Sequence, residues 1–289
     1  MLDIIYWNAD PVLFSFGPFA VRWYGLAFAV GFIIGYDIVA RMFKHEGAPE
    51  RWLGILLAYL VVATIVGARL GHVFFYQWDY YSQHPAEIFM IWEGGLASHG
   101  GTIANIIALF LFCWFVSKKP ASWVFDKVVI PIALVGGLIR LGNLMNSEIY
   151  GGPTDLPWGF VFLRNGETVP AHPTQIYEAL CYFLLFGLLM WMYWKKNAEE
   201  RPWLITGVFF LGIFVPRFLI EYVKNVQVGS EYDMIARYGM NLGQMLSIPF
   251  IVLGVALVIW AMVHPRVKFT FPNHFADEKS PANSKKAKK

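Results

Sequence analysis

The amino-acid sequence predicts an all-α integral membrane protein: a bundle of seven transmembrane helices with its N-terminus outside and its C-terminus in the cytosol. Three observations predict it: an apolar excess, seven apolar runs of spanning length, and a one-sided distribution of basic residues. Of 289 residues, 57% are hydrophobic and only 15% charged, against roughly 45–50% and about 25% in soluble domains. Mean hydropathy is +0.49. A soluble chain of this size needs more polar surface to cover its core. The same figures exclude intrinsically disordered, collagen-like and disulfide-scaffold classes.

A helix crossing ~30 Å of hydrocarbon needs about 20 mostly apolar residues. Seven stretches qualify, at 21–40, 52–76, 99–117, 122–144, 173–194, 203–223 and 241–263. The fourth contains Pro131 and the pair Gly136–Gly137, which membrane helices tolerate. The last runs from Asn241 to Val263 without a charge. Barrel-type alternation is absent. The first residues lack the basic start and small-residue cleavage site of a secretory signal, so the first span is expected to be permanent. Cys113 and Cys181 lie in apolar runs without ligand spacing and read as packing residues.

Orientation follows from the basic residues of the connections. The loops after spans one, three and five carry Arg41, Lys44, Arg51, Lys118, Lys119, Lys195, Lys196 and Arg201, and the stretch from Arg266 onward adds seven more. The opposite side has only Arg164, Lys224 and Arg237. This asymmetry places a membrane domain over 1–265 and a basic cytosolic tail over 266–289, too polar to pack and expected to be disordered. The tail supplies more than the whole formal charge of +3. No basic face remains for nucleic acid, which is excluded as a partner. The long connections, about 77–98, 145–171 and 224–240, are external. The first is rich in interfacial aromatics (Trp78, Tyr80, Tyr81, Phe89, Trp92), and the second is shaped by Gly151, Gly152, Pro153, Pro157 and Pro170.

Five basic residues fall in or beside the spans: Arg22, Arg69, Lys127, Arg140 and Arg217. An intramembrane charge costs at least ~2.5–3.5 kcal/mol, so each is a functional candidate. Helix direction brings Arg69, Arg140 and Arg217 to the outer leaflet, together with Arg22, Tyr24, His99, His172, Gln175 and Glu178. Glu221 follows Arg217 by four residues, and Asn143 follows Arg140 by three, each pair on one helical face. Structural readings stand beside these. Arg22 is placed to snorkel, and Arg69 to snorkel or to pair with a carboxylate; Asp126–Lys127 reads as a surface pair; Asp37–Arg41 and Arg217–Glu221 read as i,i+4 pairs; Glu178 is placed to neutralise an arginine. Arg140 resists such a reading because no acid lies within a turn of it. Guanidinium pairs with phosphate, and the phosphates at this depth belong to lipid headgroups. The residues themselves leave enzyme, lipid-binding and transport readings open.

Arg140-Leu-Gly-Asn143-Leu-Met-Asn146-Ser-Glu148-Ile-Tyr-Gly151 resembles the signature of the bacterial prolipoprotein diacylglyceryl transferase family. The resemblance extends over nearly the whole chain. It takes in Arg22-Trp-Tyr24-Gly25, Gly67-Ala-Arg69-Leu-Gly71, Trp92-Glu-Gly-Gly-Leu-Ala-Ser-His99-Gly-Gly, His172-Pro-Thr-Gln-Ile-Tyr-Glu178, Arg217 to Glu221, and Gly243-Gln-Met-Leu-Ser-Ile-Pro249. It implies a multi-pass protein of the bacterial cytoplasmic (inner) membrane with a periplasm-facing site and a catalytic domain over 1–265. The implied partners are phosphatidylglycerol, prolipoprotein signal peptides with a lipobox cysteine, and membrane lipid. The implied reaction moves the diacylglyceryl group to that cysteine and releases glycerol phosphate. The family's important positions fall on Tyr24, His99, Arg140, Asn143, Glu148, Gly151, Arg217 and Glu221. Ile139, Leu144 and Ile213 depart from the usual pattern.

The chemistry fits these residues. The nucleophile is the substrate's thiol, which reacts as thiolate, so a base or a positive field helps. Imidazole, with an ordinary pKa near ~6.5, makes His99 the candidate base. Arg140 and Arg217 would stabilise the leaving phosphate. Tyr24, Asn143, Glu148, Gly151 and Glu221 would shape or orient the headgroup site. No cofactor or metal is expected, because the histidines lack ligand spacing. A transporter would favour pseudo-symmetric halves and broken helices, and a hydrolase a nucleophile–base pair; the sequence displays neither.

Overall fold

A computed structural model describes residues 4–17, 19–91, 94–225 and 230–271. Trp92 and Glu93 of the third-span motif, and the expected tail from residue 272 onward, lie outside the described residues. The spanning helices are α1 (Trp23–Glu46), α2 (Arg51–Tyr76), α3 (Ser98–Phe112, continued by a π turn at Cys113–Ser117), α4 (Ala121–Met145), α5 (Thr174–Lys196), α6 (Leu204–Ile220) and α7 (Leu242–Val263). All are long and apolar enough to cross a membrane, α6 together with its 3₁₀ turn Glu221–Val223. Their boundaries fall close to the runs read from hydropathy; α1 extends furthest beyond its expected end. Large apolar side chains on their faces, such as Leu184, Val252 and Val263, are exposed, a disposition that hydrocarbon satisfies and water does not. Helix ends are locally encoded. Asn241 and Gln244 form a capping box at the start of α7, and Lys195 and Lys196 close α5 before Asn197 turns left-handed, as helix C-termini favour.

The chain divides into two units, Met1–Ile38 with Asp126–Lys268 and Val39–Phe125 with Phe269–Lys289. The first unit also holds two small two-stranded sheets. Strand β1 (Ile5–Trp7) runs parallel to β4 (Phe160–Phe162), with Tyr6 opposite Val161. Strands β2 (Val12–Phe16) and β3 (Phe19–Arg22) form an antiparallel hairpin that leads directly into α1. Leu144, Phe160, Phe162 and Ala171 form a core with Trp7, Tyr150 and Ile176 around it, and the Trp7 indole donates to the Leu144 carbonyl at 2.9 Å. The connection expected as a shaped loop over 145–171 is therefore anchored on a strand and a buried apolar cluster.

Asp126 and Lys127 correct an expectation. Read as a surface pair, both are buried. The Asp126 carboxylate accepts from the Trp203 N–H at 2.7 Å and from the Thr206 N–H and hydroxyl at 2.8 and 2.6 Å. It thus caps the first turn of α6 from another helix, satisfying donors that every helix N-terminus leaves unpaired. The basic stretch also starts ordered: the Val267 N–H donates to the Glu200 carbonyl at 2.7 Å, and Arg266 approaches Glu200 at 3.7 Å.

In the second unit, Gly100 of α3 sits against Gly67 and Gly71 of α2, where a Cβ would collide with backbone. Arg69 of α2 is buried and donates to four carbonyls: Ile88 (2.8 Å), Glu87 (2.6 Å), Gly94 (2.7 Å) and Gly95 (3.4 Å). Its guanidinium also lies 4.9 Å from the Tyr81 ring centroid. These bonds hold the aromatic connection that follows α2. At the other end of this unit the Trp123 indole donates to Glu46 at 2.6 Å, and Phe271 meets Trp52 and Trp123 edge-on or tilted.

Candidate functional site

The first unit gathers most of the expected site residues at one end of α4, α5 and α6. Arg140 and Asn143 share a face of α4, and the Arg140 Nη1 donates to the Asn143 Oδ1 at 3.3 Å. The Asn143 amide donates in turn to Glu148 Oε1 at 2.7 Å, which also accepts from Asn146 at 3.2 Å. Glu148 is presented by a strained loop, with Ser147 and Ile149 left-handed at φ 55° and 62°. Such a conformation costs a non-glycine residue about 1–3 kcal/mol and persists only when its surroundings enforce it. Here three side chains enforce it on successive carbonyls: Asn165 on Ser147 (2.6 Å), Gln175 on Glu148 (2.7 Å) and Thr174 on Ile149 (2.8 Å). Next in the chain, Tyr150 donates to Glu167 at 2.6 Å; burial and this carboxylate raise its phenol above the usual value, which keeps it a donor.

The acid that α4 lacks arrives from α5. Glu178, with its side chain 1% exposed, pairs with Arg140 Nε at 2.5 Å. Its other oxygen lies 3.3 Å from the Lys224 ammonium, which lies 3.1 Å from Glu221 Oε1. Arg217 Nε stands 3.9 Å from that same Glu221 oxygen, beyond hydrogen-bonding range. The Asn241 amide donates to Glu221 Oε2 at 3.2 Å.

Backbone fit fixes these positions. A methyl group at Gly243 would lie 2.5–2.9 Å from the Glu221 carboxylate, and one at Gly151 would overlap the Val223 carbonyl. Gly151 pairs with Lys224 in a β-bridge and donates to the His172 carbonyl at 2.8 Å. Tyr24, at the start of α1, packs its ring and Cα against Gly142. The His172 ring faces the Tyr177 hydroxyl of α5 at 3.2 Å.

The constellation is charge-balanced: Arg140, Arg217 and Lys224 against Glu148, Glu178 and Glu221. It is not uniformly buried. Lys224 and Glu178 keep 4% and 1% of side-chain exposure, whereas Arg140 keeps 16% and Arg217 32%. The Arg217 Nε is buried without a hydrogen-bond partner among the described residues. The two arginines are thus the open members, and one retains an unmet donor where an acceptor is favoured.

Of the eight expected positions, seven lie in this unit. His99 belongs to the second unit, in the first turn of α3, with its side chain exposed. Among the described residues no group of three His, Cys, Asp or Glu is arranged to hold a metal ion. Lys224 is the residue that sequence reasoning missed, having been counted with the external loop charges. Its spacing of three from Glu221 and seven from Arg217 was the available signal, since both place it on their helical face. Of the departures, Leu144 lies within the buried cluster around Phe160.

Seven helices of spanning length and apolar composition among the described residues define a multi-pass membrane protein, and one of its units carries a charge-balanced polar cluster. The model of the family described as prolipoprotein diacylglyceryl transferase matches residues 11–260, and the chain belongs to that family. A phosphatidylglycerol–prolipoprotein diacylglyceryl transferase of Porphyromonas gingivalis is 52% identical over 271 residues, covering 90% of this chain and 96% of the relative. Proteins of the same name from Chloroherpeton thalassium (42% identity; 92% and 97% covered) and Tolumonas auensis (44%; 89% and 97%) are also similar.

Proposed function

We propose that this protein transfers the diacylglyceryl group of phosphatidylglycerol to the lipobox cysteine thiol of a prolipoprotein. The thiolate sulfur forms a bond to the terminal glycerol carbon of the diacylglyceryl group. The bond from that carbon to the phosphate oxygen breaks, and its electron pair leaves with glycerol phosphate. The observation that carries this reading is the pairing of two open arginines with an unmet Arg217 donor beside a buried, charge-neutral cluster. Arg140 and Arg217 bind the phosphate and stabilise the departing charge, a role in which one aimed donor is worth about 3–4 kcal/mol of barrier. Tyr24, Asn143, Glu148, Gly151 and Glu221 shape the headgroup site. His99 takes the thiol proton.

The site faces the outer side of the bacterial inner membrane. The excess of basic residues in the loops after α1, α3 and α5 supports that orientation. Reporter fusions after Lys196 and after Pro265 should read cytosolic, and one between Gly151 and Pro170 external; a cytosolic signal from the last would reverse the siting. Activity is tested by incubating the purified protein with phosphatidylglycerol and a lipobox peptide. The expected result is a peptide heavier by one diacylglyceryl group with matching glycerol phosphate release. Phosphatidylglycerol binding without any mass gain would favour a lipid-binding or transport role instead.

A further inference from the structure

Lys224 is the most buried cation of the cluster, and it touches neither Asn143 nor Glu148, the polar groups around Arg140. Its ammonium lies between two carboxylates from different helical segments, 3.3 Å from Glu178 and 3.1 Å from Glu221. Each of these carboxylates also belongs to an arginine: Glu178 to Arg140, and Glu221 to Arg217 four residues before it. Carboxylates prefer to grip a guanidinium with both oxygens. Here neither does. Glu178 gives one oxygen to Arg140 Nε and the other to Lys224. Glu221 gives Oε2 to Asn241 and leaves Oε1 closer to Lys224 (3.1 Å) than to Arg217 (3.9 Å).

From this geometry we infer that Lys224 is a positioning residue: by engaging Oε1 of both glutamates it keeps Glu178, whose Oε2 stays 2.5 Å from Arg140 Nε, from closing both oxygens on Arg140, and draws Glu221 off Arg217, so that the remaining donors of both guanidinium groups stay open to a phosphate. A lysine suits the task. Its compact ammonium has three rotatable donors and serves two acceptors in different directions, which a planar guanidinium does less well. With Lys224 in place, the other hydrogen-bond partner of Arg140 among the described residues is a neutral oxygen, Asn143 Oδ1 at 3.3 Å. An anion displaces it at less cost than a second carboxylate oxygen. Without Lys224 the cluster carries one net negative charge. Two buried carboxylates then have only the two arginines to pair with, and burial makes an unpaired charge costly. Both forks close on their glutamates and the phosphate is excluded. This inference rests on the proposed assignment of Arg140 and Arg217 to the headgroup phosphate.

The test is steady-state transfer by the full-length protein in mixed micelles, with the mole fraction of phosphatidylglycerol varied and a lipobox peptide held saturating. Lys224→Met should raise KM for phosphatidylglycerol at least tenfold and lower kcat. Adding Glu178→Gln to Lys224→Met restores the charge balance and removes one competing carboxylate, so KM should fall back by most of that factor. Lys224→Arg should recover part of the loss. A lysine that only fills space predicts no recovery in the double variant. A wild-type KM in Lys224→Met, or a double variant no better than the single one, would overturn the inference. Should Lys224→Met fail to fold, Lys224→Gln, which keeps donors but no charge, takes its place with the same two outcomes. Arg140→Lys and Arg217→Lys are measured alongside. If both keep the wild-type KM, the phosphate assignment itself fails. If they lose affinity while the Lys224 variants do not, only the positioning role fails.

Discussion

Arg69 and Arg140 look alike in the sequence. Each sits in an apolar helix, each falls in the outer third that the charge pattern assigns to its own span, and neither has an acid within a turn. Their surroundings differ. Arg69, 3% exposed, directs Nε and both terminal nitrogens at backbone carbonyls and lays its face on Tyr81. Arg140 has one carboxylate contact, a 3.3 Å bond to Asn143, and 16% of its side chain open. A guanidinium with its donors spent on the protein's own backbone is a fastener. One that keeps part of its side chain open, with a single carboxylate contact and a neutral amide oxygen beside it, suits the proposed role of receiving an anion. The cost of burying the charge is met in both cases; what remains unspent separates them.

Three variants sharpen or break that contrast. The largest effect is expected at His99, the only predicted catalytic residue in the unit that Arg69 fastens. As general base it acts only when neutral, and such help is worth ~10²–10⁴-fold. His99→Gln should therefore lose at least about 100-fold in transfer rate near neutral pH. The deficit should shrink as pH rises toward the thiol range, where thiolate forms unaided. A deficit constant across pH would leave His99 a binding role and confine the chemistry to the Arg140 unit.

Arg69→Lys comes next. A lysine cannot reach four carbonyls in a plane, and bonds to a charged group are worth about 1.5–3 kcal/mol each. Thermal stability should fall by roughly 3 kcal/mol or more, while turnover per folded molecule stays near wild type. A selective loss of turnover would put Arg69 in the site. The smallest effect is expected from Gly243→Ala. The added methyl meets the far end of Glu221, which shifts readily. Transfer should drop severalfold with little change in thermal stability, and an unchanged rate would show that Glu221 placement is not critical.

Much of this was legible beforehand, and the exceptions share a cause. Spanning helices declare themselves over twenty residues of apolar composition, so all seven were found. Arg140–Asn143 and Arg217–Glu221 were legible because spacings of three and four place side chains on one helical face. Glu178 was legible as an arginine's counter-charge, which it is for Arg140, but its meeting with Lys224, read as a loop cation, depends on which helices pack together. The Asp126 cap failed to show for the same reason: its partners, Trp203 and Thr206, lie 77 and 80 residues away. Strands of three residues, such as β1 and β4, are too short to display alternation. The strained Ser147–Ile149 turn carries no glycine to announce its left-handed backbone.

The most direct test compares Arg140→Lys with wild type in the same transfer reaction, read as mass gained by the lipobox peptide. Lysine keeps the charge and can still meet Glu178, but it loses the planar fork that a phosphate engages with two bonds. Losing one aimed donor in such a site typically costs about 10²–10³ in rate, so the variant should fold, insert and remain stable yet lose transfer by roughly 100-fold or more. Turnover within a few-fold of wild type would contradict the assignment and reduce Arg140, like Arg69, to a structural charge.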